Sequence, residues 1–149
     1  QSVEESREII RTVFAAPETY AVCLRDSGEP IGCIGLQTGD AANLPLAFRE
    51  AELGYWLGKP HWGKGFITEA ARALIQRAFT ELKLDTLWCC ANDENIGSKR
   101  VMEKCGFTHA RTEERPAFTY DQDGWTFTGE TRMEYVAQLT YRQWRASER

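Results

Sequence analysis

The sequence predicts a mixed α/β (α+β) fold in a single domain spanning residues 1–149. Three observations carry this. A chain of 149 residues with 42% hydrophobic content suits one globular core. Strand-type and helix-type apolar spacings alternate along it. Neither an internal repeat nor a low-complexity segment divides it.

The elements follow in order. "SVEESREIIRTVFAA" carries Val3, Ile9, Ile10, Val13 and Phe14 at roughly helical spacing and stops before Pro17, so an amphipathic helix is expected there. Two β-rich runs flank Asp26-Ser27-Gly28-Glu29-Pro30, which is turn chemistry, and residues 19–39 read as a hairpin. "DAANLPLAFRE" reads as a loop. In "EAELGYWLG" the residues Ala51, Leu53, Tyr55 and Leu57 alternate with Glu50, Glu52, Gly54 and Trp56, the mark of a strand with two unlike faces, and Gly54 is expected to mark a bulge. Ala71, Leu74, Ile75, Ala78 and Leu82 then place a helix over about residues 67–82. "DTLWCCA" is a further strand. "NIGSKRVMEKCG" is a short helix with Asn95 suited to its N-cap and Gly106 to its C′ position. Residues 107–112 and 125–139 supply two closing strands around an irregular aromatic and acidic segment.

Composition narrows the function. A formal charge of -4 and a pI near 5.3 argue against a nucleic-acid partner, because a phosphate-backbone footprint calls for clustered Lys and Arg. No apolar run approaches the ~20 residues of a membrane span, and no secretory signal opens the chain. Cysteines at 23, 33, 89, 90 and 105 form no CxxC pair and are odd in number, which fits reduced thiols in the cytoplasm. His61 and His109 stand far apart, so neither a metal site nor a Ser–His pair is expected.

"HWGKGFITEA", residues 61–70, puts Gly63 and Gly65 around Lys64 where the strand gives way to the helix. Bare backbone followed by a helix N-terminus makes a cradle for an anion, most often phosphate. A P-loop would need Ser or Thr after the lysine, and Gly65 stands there; a dinucleotide fingerprint would need glycine where Thr68 stands. A plain glycine-rich connection remains the competing reading.

The whole arrangement, "ELGYWLGKPHWGKGFITEA" followed by "NDENIGSKRVMEKCGF", resembles the GNAT superfamily of acyl-CoA-dependent N-acetyltransferases, and within it the RimJ/RimL-like ribosomal-protein-type branch. The likeness runs from about residue 4 to 145 and includes the tail "MEYVAQLTYRQW". It implies a GNAT fold: a twisted, mostly antiparallel central sheet with splayed middle strands, flanked by helices. The chain starts at Gln1 where the family's second helix would be, so the opening strand and helix are expected to be missing and the chain to be N-terminally truncated.

The resemblance also implies roles. Trp62, Gly63, Lys64, Gly65, Phe66, Ile67 and Thr68 form the loop whose amides hold the coenzyme A pyrophosphate. Trp at its first place is familiar in this branch; Ile67 at its last is less so, and its β-branch bears on affinity. The backbone of Trp56 and Leu57 pairs with the pantetheine arm. Asn95 binds the pantetheine or its phosphate, caps its helix, or does both. In many members a tyrosine on this helix protonates the departing thiolate; Met102 stands there, so the role falls on Ser98, whose other reading is an ordinary N3 serine. Because a hydroxyl is a far weaker acid than a thiol, Ser98 would act by a hydrogen bond to the developing thiolate.

The implied reaction is direct attack of a neutral amine on the thioester of acetyl-CoA, with the oxyanion held by a strand N–H near Leu57. Glu52 is the expected base, through water, with Glu50 the alternative if a bulge shifts the register; either also reads as a solvated strand carboxylate. Cys89 and Cys90 read as core residues. The run Glu113–Gly129, with Phe118, Tyr120 and Trp125 among acids, either contacts a cationic amine or is a solvated hairpin loop. Three function classes are therefore carried: an N-acetyltransferase acting on a protein α-amine or a small amine, a catalytically silent acyl-CoA-binding module, and an unrelated phosphate-binding domain. A homodimer is left open.

Overall fold

The computed structural model describes residues 8–12, 18–39, 42 and 44–148. Among these residues seven strands form one sheet in the order β1-β2-β3-β4-β5-β7-β6, with β1 (Glu8–Thr12), β2 (Thr19–Leu24), β3 (Pro30–Gln37), β4 (Glu50–Leu57), β5 (Thr86–Asn92), β6 (Thr108–Asp121) and β7 (Gly124–Thr140). Every pairing is antiparallel except β4 with β5. Among the described residues, three α-helices accompany it: α1 (Phe66–Thr80), α2 (Ile96–Lys104) and α3 (Tyr141–Ser147).

The α1 stripe of Phe66, Ile67, Ala70, Ala71, Leu74, Ile75, Ala78 and Phe79 is buried against Val22, Ile34, Leu36, Ala51, Leu53, Leu87, Cys89, Ala137 and Leu139 of the sheet. One face of each central strand thus supplies the core, as the two-residue alternation in "EAELGYWLG" requires. Arg77 of α1 also pairs with Glu18, the residue just before β2, with Nε 2.7 Å from Oε1, and this holds the Glu18 carboxyl below its usual range. The hairpin, the glycine loop and both central helices lie where the sequence predicts them.

Three expectations are corrected. The helix expected in "SVEESREIIRTVFAA" is overturned at Glu8–Thr12, which form β1; the rest of that stretch lies outside the described residues. Three of these five residues are β-branched, and the free edge of β2 offers a ladder from Glu8↔Leu24 to Thr12↔Tyr20. The bulge expected at Gly54 is absent: β3 and β4 stay in register from Gly32↔Leu57 through Gly35↔Gly54 to Gln37↔Glu52. The irregular segment after residue 112 is instead a continuation of β6 and β7, paired out to Asp121↔Gly124 in a long hairpin arm that exposes Phe118, Trp125 and Phe127.

Candidate active site

The parallel ladder between β4 and β5 holds only from Glu50↔Thr86 to Glu52↔Trp88. Beyond it β4 continues to Leu57 on β3, and β5 continues to Asn92 on β7, so the two strands splay and leave a gap in mid-sheet. Gly58 N–H donates to Ile31 O at 2.8 Å. Because successive residues of a strand turn their hydrogen-bonding groups to opposite sides, Trp56 directs its backbone at β3, whereas Tyr55 and Leu57 direct theirs into the gap. Of the two residues expected to line the gap with their backbone, Trp56 and Leu57, only Leu57 faces it, together with Tyr55. Trp56 contributes its indole, 63% exposed, on the face away from the helices.

At the mouth of the gap, a short 3₁₀ turn, Lys59–His61, leads into the glycine loop. Trp62 Nε1–H donates to Leu57 O at 2.7 Å, which ties the loop to the end of β4 and leaves the Leu57 N–H facing the gap. Gly63 and Gly65 have φ of +76° and +82°, and a Cβ on either would meet no atom within 4 Å. The glycines thus answer to a left-handed backbone and keep the space above it clear. Gly65 is the N-cap of α1 and brings no capping side chain, so the amides of Phe66, Ile67 and Thr68 have no helix carbonyl ahead of them. Lys64 is exposed beside them. The Ile67 side chain is 4% exposed and packs in the core, so its branch points away from the loop. Such an arrangement of backbone suits an anion.

On the β5 side, Asn95 caps α2 by accepting from Ser98 N–H at 3.0 Å, so the capping role is seen. The Ser98 Oγ lies 2.6 Å from Tyr55 Oη, a contact that spans the gap from α2 to β4. Burial first, and the adjacent Cys89 second, push the Tyr55 phenol well above the ordinary tyrosine range, so it stays neutral. Met102 is 2% exposed and belongs to the core.

Glu52 lies on the sheet face opposite the helices and is 3% exposed. The Cys90 Sγ–H donates to its Oε2 at 3.3 Å. Glu50 is engaged elsewhere, its Oε1 accepting from Ala47 N–H at 2.9 Å, so the structure brings Glu52 and not Glu50 inside. Glu134 on β7 is a second acid on that face, 5% exposed, with Arg132 Nη2 3.3 Å from its Oε2. Burial, with the Glu52 charge next, raises the Cys90 thiol, and burial pushes Cys89 up to about 12; neither is a thiolate nucleophile at neutral pH.

Sequence reasoning missed Tyr55 and Glu134. Tyr55 had a signal: a phenol stands within the inward apolar set Ala51, Leu53, Tyr55, Leu57, where its hydroxyl must find a partner. Glu134 had none, because its burial depends on strands that are distant in sequence.

The structure thus holds a sheet opened between two parallel strands, with, at its mouth, a glycine loop and a helix N-terminus that has no side-chain cap. The chain belongs to the Acetyltransferase (GNAT) domain family, which it matches over residues 1–108. It is 44% identical over 80 residues to the Bacillus subtilis (strain 168) protein named "Putative ribosomal N-acetyltransferase YdaF", covering 54% of this chain and 41% of that one. Among solved structures, one titled "Probable acetyltransferase" is 33% identical with a TM-score of 0.64, over 86% of this chain and 65% of that one. The ribosomal-protein-S5-alanine acetyltransferase from Vibrio fischeri, at 18% identity and a TM-score of 0.63 over 85% and 62%, shares the fold. The chain spans about a third to three-fifths of the length of the curated relatives it matches. The GNAT fold and the RimJ/RimL-like character expected from the sequence agree with these findings, and proteins of this domain family are N-acetyltransferases that draw the acetyl group from acetyl-CoA.

Proposed function

We propose that the chain acts as one acetyltransferase domain that moves an acetyl group from acetyl-CoA to a primary amine, by direct attack of the neutral amine on the thioester. The observation that carries this reading is the gap past Glu52, edged by strand backbone and closed at its mouth by the glycine cradle. The amides from Gly63 to Thr68 receive the diphosphate, with Trp62 fixing the loop and Lys64 adding charge. Leu57 offers its N–H along the gap, first to the pantetheine arm and then to the developing oxyanion. Asn95 lies at the opposite edge, and Trp56 walls the exposed face.

The faces divide the chemistry. Glu52 stands on the sheet face away from the helices, where the amine enters, and Ser98 stands on the helix side, where the sulfur departs. An amine that loses its proton through water to Glu52 can attack, and the Ser98 hydroxyl hydrogen-bonds the sulfur as the C–S bond breaks. No acyl-enzyme forms. The acceptor is a protein N-terminal α-amine or a small amine, a class that the name of the YdaF relative supports for the protein case. All five cysteines are free, and no helix among the described residues is long and apolar enough to cross a membrane, in keeping with work in the cytoplasm.

Mass spectrometry of acetyl-CoA incubations with a pool of N-terminal peptides, polyamines and aminoglycosides tests the reading. One acceptor should gain an acetyl group. Coenzyme A binding with no acetylated product across the pool would leave a silent acyl-CoA-binding module; binding of free nucleotides irrespective of a pantetheine arm would leave an unrelated phosphate site.

Glu52→Gln keeps an oxygen that can accept from Cys90 but removes the base. With an α-amine acceptor, whose reference pKa is about 8, turnover should fall by about 10- to 100-fold at pH 7 and approach the parental value above pH 9, where the amine is already neutral. The kcat/KM profile from pH 6 to 10 checks this. A loss of equal size at every pH would assign Glu52 to positioning.

A further inference from the structure

We infer that Tyr55 is a positioning residue for the reaction: its phenol donates to Ser98 Oγ and thereby turns the serine hydrogen toward the gap. The inference rests on the acetyl-transfer reading above and deepens it by saying how Ser98 is aimed.

The geometry gives two partners for the phenol, Ser98 Oγ at 2.6 Å and Ser98 O at 3.3 Å. The shorter contact is the stronger claim on the hydrogen. The carbonyl of Ser98 also lies within α2, where it faces the N–H four residues on, so it has less need of a second donor. Between two neutral hydroxyls, the phenol is the better donor and the alcohol the better acceptor, because the ring draws charge off the phenol oxygen. The Ser98 backbone N–H is already given to Asn95 Oδ1 at 3.0 Å, which fixes the residue from the other side. With its oxygen accepting from Tyr55, the serine hydroxyl has one hydrogen left to give, and that hydrogen cannot be spent on Tyr55. What remains open is the gap.

The balance of the step is simple. The amine nitrogen forms the new C–N bond, the C–S bond breaks with its electron pair on sulfur, and the amine proton reaches the thiolate through water. Ser98 and Tyr55 keep their own protons throughout. Burial first of all pushes the Tyr55 phenol well above the ordinary tyrosine range, so it keeps its proton and acts through Ser98.

Tyr55→Phe removes one oxygen and keeps the ring that packs against the core. In an assay whose chemical step is rate-limiting, kcat should fall by about 10- to 100-fold, with the acceptor KM and the Kd for coenzyme A within about three-fold of the parent. Tyr55→Phe combined with Ser98→Ala should have the kcat of Ser98→Ala alone, because one hydroxyl works through the other. A folded Tyr55→Phe with parental kcat beside an impaired Ser98→Ala would overturn this inference and leave the Ser98 role intact, as would losses that multiply in the double variant. A parental kcat in Ser98→Ala would remove the Ser98 reading itself, and this inference with it. A Tyr55→Phe whose loss lies in Tm and KM instead of kcat would show a packing role and overturn the proposal. If that variant does not fold, Ser98→Thr, which keeps the acceptor oxygen, should retain kcat within about ten-fold while Ser98→Val does not; equal loss in both would overturn it.

Discussion

Coenzyme A at about a hundred times its Kd should raise the melting temperature of the parent chain by roughly 5–10 °C, and Gly65→Val should erase most of that rise. The size follows from linkage, which gives about 2.7 kcal/mol at that ratio, and from the few degrees that each kcal/mol moves a chain of this length. The loss follows from the loop. Gly65 sits at φ +82° with open space where a Cβ would stand, so valine meets no protein atom. Its methyls instead fill the volume above the amides of Phe66 and Ile67, and its branch resists the left-handed backbone that aims them. Valine strains the chain as well, by about 1–2 kcal/mol, so the comparison is between shifts and not between melting temperatures. Gly28→Val supplies the control. Gly28 has φ +72°, also with nothing within 4 Å, but lies in the β2–β3 turn away from the gap. It should lower the melting temperature similarly while leaving the coenzyme A shift whole. Equal shifts in parent and Gly65→Val would remove the phosphate site from this loop.

What the sequence discloses about this site depends on distance along the chain. The glycine loop, the helix behind it and the Asn95 cap were legible because each is settled within a turn or two of backbone: a left-handed pair of glycines, an apolar stripe, an Asx acceptor three residues before a free N–H. Glu8–Thr12 was not, because its strand exists by virtue of the β2 edge, and an isolated stretch with Ile9 and Ile10 fits a helix stripe equally well. The exact extent of the splay was also hidden. Gly54 invites a bulge, yet the register passes through it; what opens the sheet is the end of the β4–β5 ladder at Glu52↔Trp88, fixed by strands far apart in sequence. For the same reason Glu52 could be named as a candidate, but its burial and its Cys90 partner could not. The Tyr55–Ser98 contact joins residues 43 apart, and only the fold brings them together.

Ser98→Ala should lower kcat by about 10- to 1000-fold and leave the Kd for coenzyme A within a few-fold, the range expected when one hydrogen bond to developing charge is removed from a preorganised site. The structure separates this from a folding effect. The Ser98 backbone N–H, not its hydroxyl, closes the α2 cap on Asn95, and alanine keeps that N–H. Alanine is also the better helix former at the third position of a short helix. The Tyr55 phenol, which loses its nearest partner, retains the carbonyl of residue 98 at 3.3 Å, so the substitution leaves no buried hydroxyl without an acceptor. The melting temperature should therefore stay within a few degrees of the parent, and a fall in kcat reports on the transition state. Asn95→Ala makes the contrast: it removes the cap, costs about 1 kcal/mol of stability, and should move the melting temperature more than Ser98→Ala does. Installing a tyrosine at Met102 is no substitute for the lost hydroxyl, because Met102 is 2% exposed within the core and a phenol there overpacks it. A folded Ser98→Ala with near-parental kcat, measured where chemistry limits turnover, would rule out the hydrogen bond to sulfur and return Ser98 to the ordinary work of a residue in the first turn of a helix.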